Sequence, residues 1–200
     1  MPMQKDIERV LITREQIDQR LDELATQIHD DILAEAPSCP DNGTPIIPDI
    51  TLIPILTGSI IFVADLIRRL PLKMQIRVMS VTSYPGTSTS SKGASVEAAL
   101  TRLPERLDGH HVLIIDDILD SGNTLKVVKE IIAKKNPTSM RSCMLLRKQR
   151  PEAMAETCEY VAFDIPDEFV IGYGLDYDDY YRNLPEICTL RPEVYENDIK

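Results

Sequence analysis

Three aspartates and a hydroxyl-rich turn are gathered in residues 112–125, VLIIDDILDSGNTL. Asp116 and Asp117 are adjacent, Asp120 follows, and Ser121-Gly122-Asn123-Thr124 opens an amphipathic stretch. Ionised carboxylates accept hydrogen bonds from hydroxyls and bind hard cations through oxygen. A small-residue turn at a helix start offers backbone N–H groups and the positive end of the helix dipole to an anion. Together these chemistries fit a ligand that carries phosphate alongside hydroxyls or Mg2+, which points to a phosphorylated sugar.

Such a set works only on a frame that brings it to one edge. The apolar run Val112-Leu113-Ile114-Ile115 reads as a buried strand that delivers the acids to its C-terminal end and hands over to a helix over about 124–135. Upstream, residues 7–12 read as a strand. Thr13-Arg14-Glu15-Gln16 then fits a capping box, and Ile17, Leu21, Leu24, Ile28 and Ile32 keep helical spacing until Pro37. Proline, glycine and asparagine make 37–49 an irregular connection. Residues 50–56 form an apolar strand-length run that leads through Thr57-Gly58-Ser59 into a helix reaching Leu70, where Pro71 stops it. Further strands are predicted over 75–82, 142–146, 160–163 and 169–172, and the Ser/Thr/Gly-dominated stretch 83–95 reads as a flexible loop. Strands alternating with helices predict an α/β fold with a mainly parallel central sheet flanked by helices, as one domain over 1–200. Ligands of such sheets sit beyond the C-terminal strand ends, where both the Asp116-Asp117 pair and the Thr57-Gly58-Ser59 turn fall.

Composition narrows the partners. The formal charge is −10 and no Lys/Arg stripe is present, so the reading is no nucleic acid and no anionic membrane surface. An anionic substrate would need its cations concentrated at the site. Cys39, Cys143, Cys158 and Cys188 are widely spaced without a metal pattern and read as free thiols in a reducing compartment. His29, His110 and His111 show neither nucleophile partner nor metal spacing. No signal-like run opens the sequence and no segment approaches the roughly 20 apolar residues of a membrane span, which predicts a cytoplasmic protein.

The pattern of apolar run, two acids, two apolar residues, Asp, then Ser-Gly-Asn-Thr resembles the phosphoribosyl-pyrophosphate (PRPP) motif of type I phosphoribosyltransferases. Three other segments resemble the hypoxanthine-guanine members of that family. Ser83-Tyr84 heads the polar loop, Leu145-Leu146-Arg147-Lys148 closes a strand, and IPDEFVIGYGLDY followed by Tyr180-Tyr181-Arg182-Asn183-Leu184 forms a C-terminal signature. The resemblance runs to about Cys188. It implies the type I fold, with a small hood of N- and C-terminal segments, and purine salvage. In that reaction a 5-phosphoribosyl group passes from PRPP to hypoxanthine, and to guanine, with Mg2+ as cofactor in a homodimer or homotetramer.

The roles it implies are residue by residue. Asp116 and Asp117 contact the ribose hydroxyls and organise Mg2+, with Asp116 standing where the family usually has Glu. Asp120 is the general base beside the purine; a turn or N-cap aspartate is the plain alternative. Ser121, Gly122, Asn123 and Thr124 wrap the 5'-phosphate. Lys148 donates to the purine O6, against the alternative that RKQR is a solvated charge cluster. Phe169 stacks on the base, against plain core packing, and Val170 offers backbone groups to its edge. Asp176 is a further Mg2+-linked acid near the purine, and Arg182 holds pyrophosphate; residues 176–179 could instead be an acidic surface patch. Ser83 and Tyr84 belong to the closing loop. The pyrophosphate loop departs from the family, because Thr57 before Gly58 replaces the usual Lys, and a non-proline cis peptide before Gly58 is a family trait. Two further readings stay open: a xanthine-preferring phosphoribosyltransferase, and a nucleic-acid-binding regulator that keeps this fold.

Overall fold

A six-stranded parallel sheet carries the molecule. The computed structural model describes residues 5–81 and 103–195. In chain order the first elements are β1 (Ile7–Ile12), α1 (Arg14–Glu35), β2 (Ile50–Leu56), α2 (Ile60–Ile67), β3 (Met74–Ile76) and β4 (Met79–Ser80). There follow β5 (His111–Leu119), α3 (Asn123–Ala133), β6 (Ser139–Lys148), α4 (Pro151–Ala155), β7 (Tyr160–Ile165), β8 (Val170–Ile171), β9 (Ile187–Leu190) and α5 (Pro192–Tyr195). The main sheet runs β3-β2-β5-β6-β7, with β4 also on β2, and every pairing is parallel. A second, antiparallel sheet, β1-β9-β8, joins the two ends of the chain and forms the hood.

Local chemistry explains most of the boundaries. Thr13 caps α1 by accepting from the Gln16 N–H at 3.3 Å, and the Gln16 side chain accepts from the Thr13 N–H at 2.8 Å. That reciprocal cap contributes about 1 kcal/mol. Ile17, Leu21, Leu24 and Ile28 are buried at its inner face, as their spacing requires. Leu52, Ile53, Ile114 and Ile115 are fully buried in the sheet centre, each contributing about 1.5–3 kcal/mol of transfer free energy.

The strand expected over 75–82 is split into β3 and β4. Both pieces keep the same register on β2, and the gap lies opposite Ile53 and Pro54. Proline has no N–H to give the ladder. The expected helix to Leu70 ends at Ile67, and β5 and β6 run further at both ends than the apolar cores of their sequences indicate. The loop reading at Ser83, Tyr84 and 83–95 lies outside the described residues.

His110 and His111 link neighbouring segments, whereas His29 meets the adjacent Asp30. His110 Nδ1 lies 3.0 Å from Thr51 Oγ1, and His111 Nδ1 lies 2.8 Å from Ser139 Oγ. All four cysteines are free thiols. Among the described residues no helix is long and apolar enough to cross a membrane.

Candidate active site at the carboxyl edge of the sheet

Glycine chemistry ties three distant segments into one site. A Cβ placed on Gly58 would stand 1.7 Å from Asp117 Oδ2, and one on Gly174 would stand 2.1 Å from the Gly58 carbonyl oxygen. The Gly58 peptide is therefore clasped between the β5 carboxylate and the backbone after β8, with no room for side chains. The β2–α2 turn, the acid pair and the C-terminal signature thus form one layer. A non-proline cis peptide joins Leu56 and Thr57 rather than Thr57 and Gly58.

The acid pair lies inside β5 rather than at its end. Asp116 is buried and accepts from the Asp117 N–H at 3.0 Å; Asp117 accepts from the Ile118 N–H at 2.8 Å. Burial raises the Asp116 carboxyl well above the ordinary value of 3.8, and the neighbouring Asp117 charge pushes the same way. Burial also raises Asp117, while the Asp116 side chain, the Ile118 N–H and the more distant Arg182 charge offset part of that.

Between the ordinary and the raised values the folded chain keeps protons that the unfolded chain releases. The contribution of the two acids to stability is therefore present below about pH 3.8 and is lost as pH rises through the raised values. Asp116→Asn keeps an acceptor for the Asp117 N–H and removes the ionisable group from its buried place. It is expected to raise the melting temperature at neutral pH, by roughly 2–4 °C for each kcal/mol recovered, and to slow transfer. Thermal unfolding at pH 7 checks this; a melting temperature at or below the parent's would contradict it.

Asp120 does not cap α3. The N-cap is Gly122, at φ +77°, with no side-chain cap bond. Instead Arg150 Nη1 donates to Asp120 Oδ1 at 2.7 Å, and Lys148 Nζ lies 3.5 Å from the same oxygen. Lys148 Nζ also lies 3.3 Å from Asp167 Oδ1, and Arg150 Nε lies 3.4 Å from Asp167 Oδ2. RKQR is thus not a uniform solvated cluster. Arg147 turns to Asp164 on β7 at 2.7 Å, while Lys148 faces the site with only 13 % of its side chain exposed. Beyond Gly122, Ser121, Asn123 and Thr124 surround the opening of α3, where Lys126 N–H already bonds the Gly122 carbonyl at 3.0 Å.

On the hood side, Phe169 is 47 % exposed and meets Tyr177 edge-on at 5.7 Å. A large aromatic left half open is not a core residue. Val170, by contrast, buries its side chain in β8. Arg182 is held by the Gly174 carbonyl at 2.9 Å and by Asp176 and Asp179 at 2.8 Å each. Asp176 and Asp179 are therefore paired with Arg182, although Asp179 stays at the surface. Sequence reasoning missed Arg150, and it also missed Tyr173, whose hydroxyl donates to Asp65 Oδ2 at 2.6 Å and ties the signature to α2. A separate concavity at the opposite edge, floored by Ile28, Ile32 and Val112, encloses only about 40 Å³ and contains none of the predicted residues.

Among the described residues no cluster of three or more His, Cys, Asp or Glu side chains is arranged to hold a metal ion. A cation that keeps its waters and shares substrate phosphates needs only one or two protein carboxylates, so a preformed cluster is not required for it.

A parallel sheet with a hydroxyl-rich turn, an acid pair and a clasped glycine loop toward its carboxyl edge is the arrangement expected of a phosphoribosyltransferase. Consistently, residues 12–178 match the family described as the phosphoribosyl transferase domain. The chain is 44% identical over 193 residues, 96% of this chain and 90% of the other, to the hypoxanthine-guanine phosphoribosyltransferase of Mycobacterium bovis. Its structure superposes on a hypoxanthine phosphoribosyltransferase from Staphylococcus aureus with a TM-score of 0.83 at 35% identity, covering 98% of this chain and 97% of that one. A hypoxanthine phosphoribosyl transferase from Trypanosoma cruzi gives 0.81 at 36% identity, covering 97% and 96%. The chain belongs to the hypoxanthine-guanine phosphoribosyltransferase family, transferases of purine salvage.

Proposed function

We propose that this chain, working as one domain over 1–200, forms IMP and GMP from PRPP with hypoxanthine and guanine, and that its residues divide the work as follows. Asp116 and Asp117 hold the ribose hydroxyls. Ser121 to Thr124 wrap the 5'-phosphate at the α3 N-terminus. Thr57 and Gly58 present backbone to the pyrophosphate, and Arg182 turns its guanidinium to the same group. The bond from C1' to pyrophosphate oxygen breaks as the bond from C1' to the purine ring nitrogen forms. Asp120 takes the proton that the ring loses. Asp116, Asp117 and Asp176 would hold Mg2+ together with the substrate phosphates, and the bound ion would supply charge neutralisation for the leaving group. The reading is carried by one observation: Asp117, Gly58 and Gly174, from three segments, close on one another at the strand ends.

Purine recognition follows from the other half of the cleft. Phe169 stacks on the ring, and backbone groups at Val170 and the neighbourhood of Asp176 read its edge. Lys148 donates to O6, which favours a 6-oxo group over a 6-amino group that would present donors to a donor. Lys148→Ala is expected to lower the preference for hypoxanthine over adenine by roughly 10- to 100-fold in kcat/KM. An unchanged preference would remove Lys148 from purine recognition.

The acidic charge and the absence of a basic stripe favour a cytoplasmic salvage enzyme over a nucleic-acid-binding regulator. The C-terminal region bears on oligomeric state and activity in the Trypanosoma cruzi relative, and we infer a homodimer or homotetramer here. Mg2+-dependent pyrophosphate release from PRPP, measured with hypoxanthine, guanine, xanthine and adenine in parallel, tests the whole reading. Release with hypoxanthine and guanine supports it; a xanthine preference would replace the substrate assignment, and no release with any base would overturn it.

A further inference from the structure

Arg150 has no part in the functions assigned so far, yet it makes the shortest contact to the proposed base. Its place is fixed by backbone: Arg150 N–H bonds the Lys148 carbonyl at 2.8 Å, and its own carbonyl accepts from Met154 N–H at 2.9 Å. Pro151 follows at the first turn of α4, so the tight turn out of β6 throws Lys148 and Arg150 toward the same pair of acids. The resulting quartet, Asp120, Lys148, Arg150 and Asp167, has two negative and two positive charges.

Its distances are unequal. Arg150 binds Asp120 at 2.7 Å, whereas both Lys148 contacts are looser, at 3.5 and 3.3 Å. Both cations address Oδ1 of Asp120, and among the described residues no hydrogen bond is made to Oδ2. A lysine asked to leave for a purine oxygen would otherwise strip the carboxylate of its counter-charge at the moment a proton must be accepted. A guanidinium cannot be deprotonated in a protein and gives directional bonds, so it suits a permanent holder; the ammonium suits the mobile donor.

We propose that Arg150 is the positioning residue for Asp120: it grips Oδ1, leaves Oδ2 for the purine N–H, and frees Lys148 for O6. This rests on the reading of Asp120 as base. The contact is half exposed, so its effect is discounted for solvent screening.

Steady-state pyrophosphate release is compared for the parent, Arg150→Gln, Arg150→Lys, Asp120→Asn and the Asp120→Asn/Arg150→Gln double variant, between about pH 5 and 9. Arg150→Gln is expected to lower kcat about tenfold, with KM for PRPP within about twofold. The acidic limb of its kcat profile moves to higher pH, because the carboxylate has lost its nearest cation; Lys148 and, behind it, Asp167 are the remaining charges beside it. Arg150→Lys restores the charge and recovers kcat to within about threefold of the parent. In the Asp120→Asn background the Arg150→Gln change costs less than about twofold, since there is no base left to position. A merely structural role would not move the limb, and would cost the same factor in both backgrounds. The inference is overturned if Arg150→Gln and Arg150→Lys leave kcat and the limb unaltered while Asp120→Asn is slow, or if the double variant loses the full factor. Normal turnover of Asp120→Asn itself would defeat the base reading, and the Arg150 assignment with it.

Discussion

Asp120→Asn is expected to lower kcat by about 10²–10⁴-fold while KM for PRPP stays within about threefold. The substitution keeps the shape of the side chain and one oxygen for Arg150, but removes the ability to take a proton. PRPP contacts are assigned to Asp116, Asp117 and the 121–124 turn, which Asn leaves in place. Asp120 lies outside the α3 cap, so loss of helix stability is not a competing cause: the cap is Gly122, without any side-chain bond. Pre-steady-state turnover with hypoxanthine, together with equilibrium binding of PRPP, separates the two effects. A variant that turns over at the parent rate would reject proton transfer at Asp120. A variant that binds PRPP a hundredfold more weakly would move the residue to the ribose.

The parts of the fold legible in sequence are those fixed by local physics. The Thr13–Gln16 box places the start of α1 at its residue, and the largely apolar run 50–56 places both ends of β2. What stayed hidden depends on partners far away in the chain. Asp116 and Asp117 look like strand breakers, yet β5 continues through them to Leu119 because β6 pairs alongside. Pro54 reads as an ordinary member of an apolar run, and only its place inside a sheet shows why the facing strand is split into β3 and β4. β9 is not legible in the sequence, because one of its pairing partners, β1, lies at the other end of the chain. The site shows the same division. Single segments reveal which residues carry chemistry, as with Lys148, Phe169 and Arg182. Their resting partners arise only from assembly: Lys148 and Arg150 on Asp120, Arg182 on Asp176, and Asp117 on Gly58.

Gly58→Ala should cost at least about 10²-fold in kcat/KM for PRPP, because a methyl group there cannot coexist with the Asp117 carboxylate. The built Cβ falls 1.7 Å from Oδ2 and 2.6 Å from Cγ of Asp117, far inside contact distance. Aspartate has a short side chain, and Asp117 Oδ1 is bonded to the Ile118 N–H at 2.8 Å, so it escapes only by giving up that bond and its proposed place at the ribose. The loop cannot yield in the other direction, since the Gly58 carbonyl already lies against Gly174. One methyl thus displaces a ribose ligand and the pyrophosphate loop together, and a shift of about 1 Å in such a constellation accounts for the expected loss. Stability should fall by about 1–3 kcal/mol, the range for overpacking a filled site. Combining Gly58→Ala with Asp117→Ala provides the decisive comparison. If the carboxylate is the obstacle, the double variant recovers most of the lost melting temperature while remaining inactive, giving a strongly non-additive cycle. Additive losses in melting temperature would show that the two residues do not contend for the same space. Gly174→Ala, at φ +105° and 2.1 Å from a backbone oxygen that no rotamer can move, is expected to be the more destabilising of the two glycine replacements.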